Sequence, residues 1–278
     1  MPPAENLEQH TVHGFGREWT TFDHAEDRED MRRMFESYLA VFPWDRLPKD
    51  ARGLDLGCGS GRWARYVAPR VGSLVCLDAA EDALAVARKN LATLPNVQLV
   101  HSTIERADIP DSSLDFAYSL GVLHHTSDTE AALRRAVEKL KPGAPMLLYL
   151  YYALDNRSPA FRAVWRASDL LRQGISRMPY PARLAVSEVL ARTVYWPLAR
   201  GAALGEKLGL DVSGVPLSSY RHMSLYVMRN DSLDRFGTKL EKRYSRVEMK
   251  ALMERAGLTD VRFHEGIPYW CAVGHRAR

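Results

Sequence analysis

The chain has 278 residues, of which 46% are hydrophobic and 26% charged, and a formal net charge of +4. This is the balance of an ordinary globular protein, long enough for one large domain or one domain with a sizeable insertion. The mild charge does not by itself imply nucleic acid. Three widely spaced cysteines, Cys58, Cys76 and Cys271, form no CxxC pair, so neither a disulfide framework nor a zinc knuckle is indicated. The opening MPPAENLEQH lacks a basic segment followed by an apolar core, and the longest apolar run, PMLLYLYYAL, is half the length needed to span a bilayer. A cytoplasmic protein is expected.

The first segment holds HGFGREWTTF (13–22), followed by a helix expected near 27–42, where Met31, Met34, Phe35, Tyr38, Leu39 and Phe42 share one face. Pro43 and Pro48 end it. From residue 52 the pattern alternates. RGLDLG is a strand and GRWARYVAP opens a helix. SLVCLD is a strand and EDALAVARKNLATL a helix. VQLVHS and LDFAYSLG are strands, DTEAALRRAVEKL is a helix and APMLLYLYY is a fifth strand. Short β-rich runs separated by helices predict a parallel sheet covered on both faces.

After Tyr152 this rhythm stops, and 155–243 is rich in Pro, Arg and aromatic residues. SRVEMKALMERAGL (245–258) reads as a helix with Ser245 as N-cap, Glu248 completing a capping box and Gly257 as its stop. TDVRFHE and YWCAVGHR close the chain as two strands. The expected fold is α/β, a doubly wound, seven-stranded Rossmann-like sheet. An N-terminal arm and helix (1–50) precede a cofactor domain (51–154 and 244–278), which a helical lid (155–243) interrupts.

The stretch GLDLGCGSGRW (53–63) carries the chemistry. Ligands of open α/β sheets sit beyond the carboxyl ends of the strands, where Gly57, Gly59 and Gly61 form the first turn. Glycines there let backbone approach a ligand and permit positive φ. GSGRWA (59–64) matches the dinucleotide pattern G-x-G-x-x-G/A, which alone is weak. Asp55 discriminates. A carboxylate facing the ligand near the turn repels a pyrophosphate and pairs with an ammonium, so the turn suits the amino-acid end of S-adenosylmethionine. Asp78 ends the second strand and can accept both ribose hydroxyls, or serve only as a helix N-cap. The ribose role is favoured.

LDLGCGSGRWA, VCLDAAEDALAVARKN, STIERADIPDSSLDFAYSLGVLHHTSD and LKPGAPMLLYLY together resemble class I S-adenosylmethionine-dependent methyltransferases of the small-molecule type, over about 52–152 and 245–275. The resemblance implies S-adenosylmethionine as methyl donor and S-adenosylhomocysteine as product. It places Gly57, Cys58 and Gly59 beside the methionine portion, Ala79 next to the ribose acid, and Thr103 and Ile104 along the adenine. Where the family often has Asp, this chain has Thr103, whose hydroxyl can still accept a hydrogen bond. Leu120 and Gly121 would pass close to the sulfonium. No NPPY-type tetrapeptide follows the fourth strand, which disfavours methylation of exocyclic amines on bases.

His124 and His125 follow that strand. One reading is a general base. The other, favoured because the family uses this loop with varied substrates, is that one histidine fixes the loop and the other packs, with His125 standing behind the reacting groups. No third ligand lies at metal spacing. HGFGREWTTFD is expected as a flap whose Trp19, Phe15 and Phe22 shield the sulfonium. Trp19 is the expected cofactor neighbour and Phe15 a substrate neighbour. Phe22 could equally pack on the sheet edge.

Between 157 and 200 there are eight arginines against two acids, Asp169 and Glu188. Phe161, Val164, Trp165 and Leu171 are expected on one helical face, with Arg162 and Arg166 off it. Such a segment suits a lid receiving an anionic substrate, a rest on an anionic membrane surface, or a solvated packing face. Residues 218–245 concentrate Tyr220, Arg221, His222, Tyr226, Arg229, Asp231, Asp234 and Arg235, with SLYVM as an expected short strand. His222 and Tyr226 are candidates for base or orienting groups, and Tyr220, Arg221, Arg229 and Trp165 for substrate contacts. The partner expected is a small molecule rather than nucleic acid. The alternatives are an RNA or protein methyltransferase that docks through the insertion, and an NAD-dependent oxidoreductase. The oligomeric state is not legible.

Overall fold

A computed structural model describes residues 9–23, 28–238, 240–267 and 269–278. The chain forms two compact units, 1–153 with 240–278, and 154–239.

The first unit is a seven-stranded sheet in the order β3-β2-β1-β4-β5-β7-β6. Its strands are β1 (Arg52–Leu56), β2 (Ser73–Asp78), β3 (Val97–His101), β4 (Phe116–Leu120), β5 (Pro145–Tyr149), β6 (Leu258–Phe263) and β7 (Cys271–Arg276). The pairs from β3 through to β5 are parallel, while β7 runs antiparallel to both β5 and β6. The sheet is therefore mixed, with the order reversing between β1 and β4. Period-2 alternation fills both faces. Leu54, Leu56, Val75, Leu77, Met146 and Leu148 pack with α5 (Thr129–Lys139) and α10 (Arg246–Arg255). Leu74, Cys76, Phe116, Tyr118 and Leu147 pack with α2 (Arg28–Tyr38), α3 (Ala64–Val67) and α4 (Glu81–Asn90). Strands buried on both faces read as near-continuous apolar runs, and β4 is buried at all five positions.

Helix ends follow local chemistry. Asp128 caps α5 by accepting the Ala131 N–H. The capping box of α10 is present in both directions, and Gly257 stops the helix at φ +94°. The expected helix at 61–69 is shorter than its pattern. It comprises α3 and then a 3₁₀ turn over Ala68–Arg70, because Pro69 cannot donate to the ladder. The N-terminal HGFGREWTT (13–21) is helical, forming most of α1 (Gln9–Thr21). Gly16 lets α1 approach α4 closely, since a Cβ there would lie 3.2 Å from Asp82 Cβ. Phe22 is buried at 1% exposure.

The second unit is helical: α6 (Pro159–Ile175), α7 (Tyr180–Leu190), a π-helical turn over Ala191–Tyr195, α8 (Trp196–Lys207) and α9 (Leu225–Gly237). Two expectations are corrected. SLYVM is not a strand but opens α9. Ser224 accepts the Val227 N–H as N-cap, and Val227, Met228, Leu233 and Phe236 are buried at helical spacing. Phe161, Val164, Trp165 and Leu171 do not share a face either. Phe161 and Trp165 are half-buried, whereas Val164 and Leu171 are 58% and 61% exposed. The inward column of α6 instead runs through Phe161, Trp165, Asp169, Arg172 and Ile175.

Candidate functional site

At the carboxyl end of β1 the chain turns through three glycines in the left-handed region, Gly57 (φ +77°), Gly59 (φ +54°) and Gly61 (φ +75°). Side chains are strained there whatever the space. Space is also short. A Cβ on Gly57 would lie 2.4 Å from Val122, one on Gly59 2.8 Å from the Trp19 ring, and one on Gly61 2.7 Å from Leu91. The turn is pinned to β2 by the N–H groups of Gly57 and Cys58, which both donate to the Leu77 carbonyl at 2.8 and 3.1 Å.

Asp78 clasps this turn. Its Oδ2 accepts the Gly59 N–H and its Oδ1 the Ala80 N–H, each at 2.8 Å. Burial pushes its pKa up, opposed by these backbone donors. An ionised carboxylate has about four acceptor sites, so both oxygens retain capacity for ribose hydroxyls. Ala79 is half-buried beside it, and its carbonyl lies 3.0 Å from His101 Nε2.

The structure corrects the position of Asp55. Its carboxylate does not face an open cleft. It is 1% exposed and accepts the Tyr118 hydroxyl at 2.8 Å. Asp55 and Tyr118 are register partners across β1 and β4, so their side chains emerge on the same face. Burial raises the Asp55 pKa from 3.8 to about 7. The Tyr118 hydrogen bond lowers it, nearby Asp78 raises it and Arg62 lowers it. A carboxyl poised between its two forms therefore stands behind the glycine turn.

Trp19 lies over Gly59, and the Arg62 guanidinium sits 4.7 Å from both the Trp19 and Trp63 ring centroids. Thr103 follows β3 with its backbone carbonyl accepting from Arg106 and Ala107, and Ile104 is buried. Leu120 is buried at the end of β4, and Gly121 follows at φ +78°. Unlike the turn glycines, Gly121 borders open space. A Cβ there would meet only Tyr149, at 4.0 Å. This is the one glycine of the cluster whose missing side chain leaves room rather than admitting a protein neighbour.

Beside that space runs a row of rings: Tyr38–Tyr149 (4.9 Å), Tyr149–Tyr151 (6.1 Å), Tyr151–His124 (3.9 Å), His124–His125 (4.0 Å) and His125–Phe15 (4.9 Å). Arg243 stacks 5.2 Å from Tyr151. His124 is fully buried, and burial holds its pKa well below the usual histidine range, so its ring is neutral. His125 Nδ1 lies 2.6 Å from the Leu240 carbonyl, which fixes the proton on Nδ1 and leaves Nε2 an acceptor. That Nε2 and both His124 nitrogens are buried without a hydrogen-bond partner among the described residues. Tyr118, Tyr149, Tyr151, Arg62 and Arg243 were not anticipated from sequence. The only signal was the alternation of tyrosines in LLYLYY.

The remaining sequence candidates belong to the second unit, where each is engaged within that unit. His222 Nε2 lies 2.8 Å from Glu206, which also binds Arg221. Arg229 donates to Glu188 at 2.6 Å. Tyr220 packs on Tyr195 at 5.6 Å and Trp165 under Arg235 at 4.7 Å. Tyr226 lies half-buried in the first turn of α9. No His, Cys, Asp or Glu cluster able to hold a metal occurs among the described residues.

A doubly wound sheet with a left-handed glycine turn and an acid closing the second strand defines an α/β domain of the Rossmann-like class. Comparison with known proteins narrows this. A family model described as a methyltransferase domain matches residues 54–143. A demethylmenaquinone methyltransferase of Listeria monocytogenes is 31% identical over 162 residues, half of this chain and 68% of that protein. An uncharacterized methyltransferase of Mycobacterium tuberculosis is 31% identical over 123 residues, 44% of this chain and 60% of its own. A malonyl-[acyl-carrier protein] O-methyltransferase of Enterobacter lignolyticus is 29% identical over 169 residues, 61% of this chain and 62% of its own. Among solved structures, a methyltransferase from Thermotoga maritima superposes with TM-score 0.52 at 17% identity, over 97% of this chain and 100% of that one. The chain belongs to the class I S-adenosylmethionine-dependent methyltransferase family. It spans about 60% of the length of the curated mycobacterial relatives it matches.

Proposed function

We propose that the protein moves a methyl group from S-adenosylmethionine to an O, N or S atom of a small-molecule acceptor, releasing S-adenosylhomocysteine. The observation that carries this reading is the pairing of a tightly pinned glycine turn with the buried, near-neutral-pH carboxyl of Asp55 directly behind it. When bound, S-adenosylmethionine supplies a methyl group activated on a positively charged sulfur. The residues present fit such a group. Asp78 has spare acceptor capacity for a ribose, and Gly121 leaves room beside Tyr149. The backbone at Gly57, Cys58 and Gly59 borders the position expected for the amino-acid tail, with Asp55 supplying negative charge through the turn. Thr103 and Ile104 are assigned to the adenine side, and Trp19 covers Gly59.

Methyl transfer to a nucleophile leaves a neutral thioether, so the protein's main tasks are alignment and exclusion of water. The ring row from Tyr38 to Phe15 supplies a dry wall. Within it, His125 Nε2 is the proton acceptor assigned to a hydroxyl or thiol substrate. An amine acceptor needs no such step. Relatives named for malonyl-[acyl-carrier protein] and demethylmenaquinone support a small acceptor. Six of the eight arginines in 157–200 bond within their own unit (Arg157, Arg172, Arg177, Arg183, Arg192 and Arg200). This count favours a packing role for them over an RNA-docking surface.

Titration calorimetry against S-adenosylhomocysteine and NADH tests the reading. One site for the former and none for the latter is expected. Binding of NADH alone would overturn it. Transfer of radiolabelled methyl to a panel of hydroxyl, amine and thiol acceptors then identifies the atom.

A further inference from the structure

Helix α6 leaves an apolar column in solvent. Its inward column mixes Phe161, Trp165 and Ile175 with an ion pair, in which Asp169 bonds Arg172 at 2.7 Å and meets Arg235 of α9 at 3.4 Å. Its exposed column is Ala160, Ala163, Val164, Ala167, Leu170, Leu171 and Gly174, continued by Met178. The spacing of three and four residues makes one continuous stripe. Val164, Leu170 and Leu171 are 58%, 70% and 61% exposed. A globular helix ordinarily hides such a stripe, because leaving it in water forfeits about 25 cal/mol per Å² of apolar area.

The stripe is not isolated. Of thirteen large apolar residues exposed among the described residues, eleven lie in 154–239. They include Val194, Trp196, Leu198 and Leu204 on the π turn and α8, and Leu208 just past its end. This unit carries thirteen Lys/Arg and seven Asp/Glu, a formal +6, whereas the rest of the chain is a formal −2. Between Arg157 and Ser187 the sole acid is Asp169, already paired. Arg162 and Arg166 flank the stripe and have no carboxylate partner among the described residues. No helix among the described residues is long and apolar enough to cross a membrane.

We propose that the 154–239 unit docks in the plane of an anionic lipid bilayer, burying the α6 stripe at the headgroup–acyl boundary while Arg162 and Arg166 meet lipid phosphates. An apolar stripe flanked by basic residues and free of acids is the pattern of an interfacial helix. A second copy of the chain fits less well, because a symmetric contact would set two +6 surfaces against each other. The proposal is independent of the methyl-transfer reading.

Flotation of the full chain with vesicles of phosphatidylcholine containing 30% phosphatidylglycerol, and with pure phosphatidylcholine vesicles, tests it. Binding to the anionic vesicles is expected, weakened by salt. The double variant Leu170→Glu/Leu171→Glu should lose binding to background. Arg162→Gln/Arg166→Gln should weaken it about 30-fold, at about 1 kcal/mol for each arginine near an anionic surface. Val247→Glu, on the exposed side of α10, should bind like the parent. Retained S-adenosylhomocysteine binding and circular dichroism show that each variant is folded. Absence of parent binding to anionic vesicles, parental binding by Leu170→Glu/Leu171→Glu, or a dimer dissolved by that variant would each overturn the proposal.

Discussion

Replacing Asp55 by Asn probes the centre of the site. The Asp55 carboxyl has its pKa raised from 3.8 to about 7, chiefly by burial. A carboxyl whose pKa is higher folded than unfolded favours the folded state while protonated. That contribution is fully present below about pH 4, declines between 4 and 7, and is lost above 7. There the ionised group opposes folding by about 4 kcal/mol relative to the acid end. The asparagine is neutral throughout, and its amide oxygen can still accept the Tyr118 hydroxyl. Ligand-free Asp55→Asn should therefore resist urea better than the parent at pH 8.5, by up to about 4 kcal/mol, and converge with it only below about pH 4. Affinity for S-adenosylhomocysteine should move the other way, falling about tenfold at pH 8.5, or ~1.4 kcal/mol, as the negative charge behind the glycine turn is lost. Urea unfolding at three pH values and calorimetry on both proteins measure this. Parallel pH profiles for the two, or unchanged affinity, would refute the reasoning.

Tyr118→Phe removes the donor that lowers the Asp55 pKa, so in that background the stability advantage of Asp55→Asn should keep growing to a higher pH and level off at a larger value, read from the same urea series. Gly59→Ala places a side chain at φ +54° against the Trp19 ring. It should cost about 1–3 kcal/mol in unfolding and weaken S-adenosylhomocysteine, while adding Trp19→Ala should recover part of the packing loss but not the backbone strain. His125→Asn should lower kcat for a hydroxyl acceptor with KM little changed; loss of stability alone would assign His125 to the loop.

Most of the sheet was legible because β1 through β5 alternate with helices and each strand is marked by a compact apolar run. The glycine turn and Asp78 were legible because their roles are local. The Asp55–Tyr118 bond was not, since it depends on β4 lying next to β1, and those residues are 63 positions apart. The ring row was hidden for the same reason: it joins α1, α2, the post-β4 loop and β5. In the second unit, SLYVM misled because its aromatic and β-branched residues favour strands. Ser224 was the overlooked cue, a cap that commits the next turn to helix. The outward stripe of α6 escaped notice because an apolar column in sequence does not say which way it points.

The place of β7 in the sheet bears on how the molecule is made. Its partner β5 meets it in pairs such as Tyr149↔Cys271, which lie 122 residues apart in the chain. Until β7 emerges from the ribosome, β5 is an open edge with unpaired amides, and the helical unit encoded between them has already been synthesised. The nascent domain thus spends the translation of over a hundred residues as an incomplete sheet, a window in which a chaperone or a neighbouring nascent chain competes for that edge.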